Sequence, residues 1–251
     1  MTRPLHDIER ALALHRLGFN HCEVARRIGV PRSTLRAWVA PNYHRMPRPG
    51  CFRCDIEVTC DSENYVYLLG LYLGDGSLAA YPRGVWRLRI FQDNRYVDLI
   101  EICVKVMGGI SGCRVQLVQK IGCIEVAAYW KHWIHLFPQH APGAKHTRRI
   151  RLQTWQQGMV TANPKAFLAG LIHSDGCRSN NMIKHRTSDA AVRQYVYPRY
   201  QFTNASNDIR GLFTDTCDLL GVRWTQTNAR NVAVSRRADV EFFDTFIGQK
   251  S

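Results

Sequence analysis

No stretch of the chain reaches the roughly 18 consecutive apolar residues that a membrane-spanning helix needs. The opening residues, Met1-Thr2-Arg3-Pro4-Leu5-His6-Asp7, hold no apolar run followed by a small-residue cleavage site. The sequence therefore predicts a protein that stays inside the cell. Acidic residues are scarce: 20 Asp and Glu stand against 34 Lys and Arg, for a formal charge of +14 at pH 7. That imbalance suits a polyanionic partner, nucleic acid first, over a merely soluble basic surface. Nine cysteines are an odd count with no secretory signal, which lends little support to a disulfide framework and predicts reduced thiols. Disorder by composition is excluded as well, since 45% of residues are hydrophobic and 22% charged, enough for a packed core. A chain of 251 residues has room for one main core and a small module.

The small module is expected over residues 1–45. Leu5, Ile8, Leu12 and Leu14 with Leu17 follow helical spacing, and Gly18 supplies a natural helix end. A second helix is predicted from His21 to Ile28, broken at Gly29-Val30, and a third from Pro31, where proline is tolerated in a first turn. Ala25 falls where two helices approach, and Leu35 with Trp38 would bury the third helix. These spacings resemble the helix-turn-helix of bacterial DNA-binding proteins. On that resemblance the third helix reads DNA with Arg32, Ser33, Thr34 and Arg36, arginine being able to pair with guanine or phosphate. A helical bundle that binds nothing is the competing reading. The nine Lys and Arg against three Asp and Glu in residues 1–50 favour DNA.

A linker is expected over 46–61, rich in Pro and Gly at its start and carrying Cys51, Cys54 and Cys60. A Cys-x-x-Cys turn can place two thiolates on one zinc, and Cys60 with His44 could complete four ligands. No second Cys-x-x-Cys pair follows, so structural zinc competes here with plain linker thiols.

The main domain is internally duplicated. Tyr67-Leu68-Leu69-Gly70-Leu71-Tyr72-Leu73-Gly74-Asp75-Gly76 returns as Phe167-Leu168-Ala169-Gly170-Leu171-Ile172-His173-Ser174-Asp175-Gly176, offset by 100 residues. Helix-start signals precede both, Ser62 before Glu63 and Asn163 before Pro164. Gly70 and Gly74, matched by Gly170 and Ser174, lie four apart on one face, and small residues at that spacing let helix backbones touch. Packing the two helices would bring Asp75 and Asp175 together at their ends. Two carboxylates there repel unless one is protonated or a divalent cation lies between them, and hard oxygen ligands suit Mg2+.

These two motifs resemble the signature of LAGLIDADG homing endonucleases in their single-chain, two-repeat form, over roughly residues 62–251. The second copy follows the pattern through Leu168-Ala169-Gly170-Leu171-Ile172 and Asp175-Gly176, with His173 at the acidic sixth position and Ser174 for alanine. The first copy departs more, with Leu73 and Gly74 there. The eighth-position aspartate, the family's metal ligand, is kept in both as Asp75 and Asp175. The resemblance implies an α+β fold of two αββαββα repeats, 62–150 and 151–251, in a pseudo-twofold arrangement. Strand-like and helix-like runs support it: Val85–Phe91, Tyr96–Met107, Arg114–Val118, Ile121–Tyr129 and Lys131–Leu136, then Tyr195–Phe202, Ile209–Leu220, Val222–Thr227, Val232–Ser235 and Val240–Phe246.

Family members lay their two sheets along the DNA major groove. Here Arg87 and Arg89 alternate with Leu88 and Ile90, and Arg199 and Gln201 with Tyr200 and Phe202, so one face of each strand is polar and basic. The resemblance places Gln92 and Asn204 near the cleavage centre. It also pairs Lys145 with Lys250, each following the last helix of its repeat, to stabilise charge on the scissile phosphate or hold a water. It implies a monomer that hydrolyses both strands of double-stranded DNA with Mg2+ or Mn2+. Two readings compete: a transcription regulator that keeps the fold and does not cut, and an RNA-binding maturase. Retention of both aspartates favours the nuclease over the regulator, and the helix-turn-helix favours duplex DNA over RNA.

Overall fold

The computed structural model describes residues 5–39, 62–186 and 192–248, and the chain divides into two units, Met1–Arg48 and Pro49–Ser251. In the first unit, helices α1 (Leu5–Arg16), α2 (His21–Ile28) and α3 (Arg32–Val39) follow the predicted order. Asn20 starts α2 with a reciprocal cap: its side-chain oxygen accepts from the Cys22 and Glu23 amides at 3.0 Å, and Glu23 accepts from the Asn20 amide at 3.0 Å. Gly29 ends the helix at φ 70°, a left-handed conformation that glycine adopts without strain. Pro31 precedes α3, and its carbonyl accepts from Thr34 and Leu35. Ile8, Ala11, Val24, Ala25, Val30, Leu35 and Trp38 form the core of this unit.

The second unit is α+β, with the expected αββαββα order twice. The first repeat comprises α4 (Ser62–Asp75), β1 (Gly76–Tyr81), β2 (Val85–Asp93), α5 (Val97–Ser111), β3 (Val115–Gln119), β4 (Cys123–Trp130) and α6 (Trp133–Leu136). Helix α7 (Thr154–Ala162) then leads to the second repeat: α8 (Pro164–Asp175), β5 (Gly176–Arg186), β6 (Val192–Thr203), α9 (Asn207–Leu219), β7 (Thr225–Gln226), β8 (Asn231–Val234) and α10 (Arg237–Asp244). The two antiparallel sheets have matching orders, β1-β2-β4-β3 and β5-β6-β8-β7. Gly76 pairs with Ile90 in the first and Gly176 with Phe202 in the second. Registers and helices thus repeat together.

Helices α4 and α8 are apolar all round because they are enclosed all round. Every residue from Tyr65 to Leu73 is buried, as is every residue from Phe167 to His173. The inward faces of the sheets supply Leu88, Ile90, Val126 and Ala128, then Tyr200, Phe202, Val232 and Val234, to one continuous core.

Several elements differ from the sequence expectation. The run Lys131–Leu136 forms only a single turn at Trp133–Leu136, and Val222–Thr227 contracts to the two-residue β7. Strand β5, Gly-Cys-Arg-Ser-Asn-Asn-Met and onward, lacks apolar alternation and is held by its ladder with β6. Helix α7 was not anticipated; it is secured by polar ties described below. Asn163 does not cap α8 with its side chain. Its amide donates to Ser62 Oγ at 3.1 Å instead, joining the starts of the two equivalent helices.

Thiol environments divide sharply. Cys103 and Cys217 are buried while Cys22 and Cys177 are exposed, and burial pushes the Cys103 and Cys217 thiols far above their ordinary range. Iodoacetamide at pH 8 is expected to label Cys22 and Cys177 of the folded protein and to reach Cys103 and Cys217 only in denaturant. Peptide mass spectrometry reads the difference, and labelling of Cys103 under native conditions would contradict this core.

Candidate active site

The site begins where two helix backbones meet. A β-carbon on Gly70 would stand 2.7 Å from the Phe167 carbonyl oxygen and 2.8 Å from the Leu171 nitrogen. One on Gly170 would overlap the Tyr67 carbonyl oxygen. One turn further on, a β-carbon on Gly74 would lie 2.5 Å from Ser174 Cβ and 2.9 Å from Asp175 Oδ2. The carboxylate of one repeat therefore lies beside the residue that precedes Asp75 in the other. Both aspartates are the last residues of their helices, α4 and α8, and both are half-buried. Helix C-termini present unpaired carbonyls and a partial negative charge, so a carboxylate at the end of each helix adds to its attraction for cations.

Lys145 answers part of that demand. It lies in a short 3₁₀ turn, Lys145–Thr147, and its ammonium donates to the carbonyls of Tyr72, Gly74 (2.9 Å) and Gly76 (2.7 Å) at the end of α4. An ammonium has three protons, so these carbonyls occupy all of them. A lysine expected to face phosphate or water is thus engaged with the helix end. Burial pushes its pKa down to about 8; the Asp175 and Asp75 charges oppose that fall, and Arg148 reinforces it.

Asn204 and Gln92 hold equivalent positions, each two residues beyond the strand partner of the glycine after the aspartate. Their bonding differs. Asn204 Nδ2 donates to Asp175 Oδ2 at 2.6 Å. Gln92 is 4% exposed, and its Nε2 finds no hydrogen-bond partner among the described residues. A cleft of about 560 Å³ is lined by Lys145, Asp175, Asn204, His140, His146 and Arg148 among others.

The outward sheet faces carry the predicted basic residues. Arg87, Arg89, Arg199 and Gln201 are all half-buried and lie opposite the core-facing Leu88, Ile90, Tyr200 and Phe202. Arg87 is also tied down: its Nη2 lies 2.5 Å from Oε1 of Glu125, which is only 3% exposed, with Lys120 at 3.9 Å from the other oxygen. The β2–β4 register sets this pair on the outer face, where Arg87 is opposite Tyr129 and Phe91 opposite Glu125. In the first unit Arg32, Ser33 and Arg36 are exposed and Thr34 is half-buried. Lys250, Cys51, Cys54, Cys60 and His44 lie outside the described residues.

Two buried networks escaped sequence reading. Tyr67 Oη lies 2.8 Å from His173 Nδ1, and His173 Nε2 lies 2.6 Å from the Ile247 carbonyl. A carbonyl only accepts, so Nε2 carries a proton, and the ring bridges α4, α8 and the end of the second repeat. In the second network, Gln156 Nε2 donates to Tyr65 Oη at 2.8 Å and Gln139 Nε2 to Gln156 Oε1 at 2.6 Å. Gln139 Nε2 also donates to the Arg151 carbonyl at 2.9 Å. These bonds fix α7 and both ends of the loop that carries Lys145. Tyrosine, histidine and glutamine inside apolar runs were the only signal.

No protein-family model matches the sequence, and no curated protein matches it. Solved structures do align with it. The LAGLIDADG homing endonuclease I-SmaMI bound to cleaved DNA is 12% identical, over 74% of this chain and 83% of that one, with a TM-score of 0.47. The meganuclease I-AabMI bound to uncleaved DNA is 13% identical, over 72% of this chain and 82% of that one, at 0.47. The N-terminal LAGLIDADG domain of WhiA is 13% identical, over 74% of this chain and 81% of that one, at 0.45. Among the described residues no helix is long and apolar enough to cross a membrane.

Proposed function

We propose that the protein is a metal-dependent endonuclease acting on double-stranded DNA. The observation that carries this reading is the backbone contact of two matched helices that each end in an aspartate, with Asp175 Oδ2 lying beside Gly74. Their surroundings are basic, in a chain of net charge +14. Among the described residues no group of three or more His, Cys, Asp and Glu could hold a metal. Two carboxylates nonetheless fit Mg2+, which commonly takes one or two protein oxygens and fills its shell with water and substrate phosphate. Mn2+ suits the same hard oxygens. Such an ion, when bound, supplies an activated water and stabilises charge on the phosphate.

The chain's own residues do the rest. Asp75 and Asp175 orient the centre from opposite repeats. Asn204 fixes the Asp175 carboxylate, and Gln92, whose Nε2 has no partner among the described residues, holds the equivalent position in the first repeat. Lys145 balances charge and holds the end of α4. Arg89, Arg199 and Gln201, with Arg87 held by Glu125, offer donors to base edges and phosphates along the two sheets. Residues 1–45 serve as a helix-turn-helix, with Arg32, Ser33, Thr34 and Arg36 making a second contact to duplex DNA. One chain supplies both halves of the site, so the working form is a monomer.

Incubation of the full chain with a randomised duplex library and Mg2+ or Mn2+ tests the reading. Cut products of defined sequence are expected, and chelation by EDTA should abolish them. Binding should weaken about 10³-fold or more between 50 and 200 mM salt if six or more phosphates are contacted. A second reading, a DNA-binding regulator that does not cut, is favoured by one observation: Lys145 spends its protons on carbonyls. Specific binding with no cleavage in either metal would select it.

A further inference from the structure

The hairpin of the second repeat outgrows its counterpart. Strands β1 and β2 pair over six positions, whereas β5 and β6 pair over eleven, from Gly176–Phe202 to Arg186–Val192. Strand β8 supports β6 only from Tyr200 to Thr203. Beyond Tyr200 the hairpin is therefore a two-stranded ribbon, and no third strand pairs with it among the described residues. An isolated ribbon of this kind has little stability of its own in water, and side chains on it have no core to enter.

The ribbon nevertheless carries aromatic residues. Tyr195 and Tyr197 alternate onto the face that holds Arg199 and Gln201. They are 40% and 46% exposed, and their rings are near parallel, 13° apart in plane with centroids 6.2 Å apart. Residues 176–203 contain five Lys and Arg against a single Asp. Phosphate contacts alone need only those cations. Two flat rings left in water gain when a planar apolar surface covers them. Within a duplex the bases cover one another's faces and show only their edges. A nucleobase can cover the rings only if it is unpaired.

We infer that Tyr195 and Tyr197 form a stacking platform for unpaired bases of a DNA strand continuing from the duplex on the adjoining sheet. This rests on the DNA-binding part of the function proposed above. Each stacked base holds its strand while Arg199, on the same face of the ribbon, meets a phosphate, the arrangement used for single strands generally. A protein with this platform discriminates a frayed, gapped or extended duplex from a blunt one.

The test measures binding of the full chain to a blunt duplex and to the same duplex with a single-stranded extension, on either end, containing 2-aminopurine. The wild type is expected to prefer the extended duplex by about 5- to 150-fold, the range for stacking one base, and to quench the 2-aminopurine. Tyr195→Ala/Tyr197→Ala should lose the preference and the quenching while still binding blunt duplex. Tyr195→Phe/Tyr197→Phe should keep both, since it retains the rings. Equal binding of the two duplexes by the wild type overturns the platform and leaves the nuclease reading standing, as does a preference that survives the alanine pair. A stronger preference for an RNA extension of the same sequence overturns the assignment to DNA. No binding to blunt duplex by the wild type counts instead against the proposed function.

Discussion

Gly170→Ala is expected to destabilise the second unit by at least about 3 kcal/mol, the upper part of the range for overpacked cores. The added methyl would meet the Tyr67 carbonyl oxygen, with Gly70 Cα at 3.1 Å. Both obstacles are backbone, so no side chain can rotate away, and the two helices must separate. Separation would open the core they share and move Asp75 away from Asp175. Gly158→Ala provides the control. Gly158 lies within α7, and a β-carbon there meets nothing within 4 Å. Replacing an unstrained helical glycine removes freedom from the unfolded chain and should stabilise by about 0.4–1 kcal/mol. Urea denaturation followed by circular dichroism compares the variants. If Gly170→Ala unfolds at the same urea concentration as the wild type, the helices do not meet as described.

Replacing either aspartate is the second change of large effect. Asp75→Asn and Asp175→Asn should each reduce cleavage at least about 100-fold, the lower end for removing one preorganised electrostatic group. DNA binding should persist or tighten, because each change removes a negative charge facing phosphate. The two halves should not respond alike. Asn204 donates to Asp175 at 2.6 Å, whereas the equivalent Gln92 Nε2 has no partner among the described residues. Asn204→Ala should therefore disturb the Asp175 half, slowing one strand's cut more than the other's. Gln92→Ala should act only through bound water or substrate. Nicked intermediates on a supercoiled plasmid report this inequality directly. Equal slowing of both strands by Asn204→Ala would argue that the bond does no more than fill space, and full activity in both aspartate variants would remove the nuclease assignment.

Much of this architecture could be read along the chain, for identifiable reasons. The duplicated Gly-x-x-x-small-Asp-Gly motif contained the small residues that allow backbone contact and the acids that end the helices. Strong periodicity located α2 and most of β2, β4, β6 and α9 within a few residues. Strand β5 was not legible because its residues are polar, and it exists through its hydrogen-bonded ladder with β6. Helix α7 was missed because it is anchored by Gln156 bonding to Tyr65 and Gln139, residues far apart in sequence.

The candidate site divides along the same line. That the two motif helices would touch along one face was contained in the spacing of Gly70, Gly74, Gly170 and Ser174, because sterics along a helix are local and periodic. What each neighbouring group does with its protons was not contained there. Lys145 turning to three carbonyls, Asn204 reaching Asp175 while Gln92 bonds nothing described, and Glu125 holding Arg87 all depend on distances between segments distant in the chain. Residue pattern alone determined most of the elements and the small residues through which the two motif helices touch. Only tertiary packing decided the partners of each polar group, since a hydrogen bond requires a donor and acceptor within about 3 Å of each other, and sequence does not encode that separation locally.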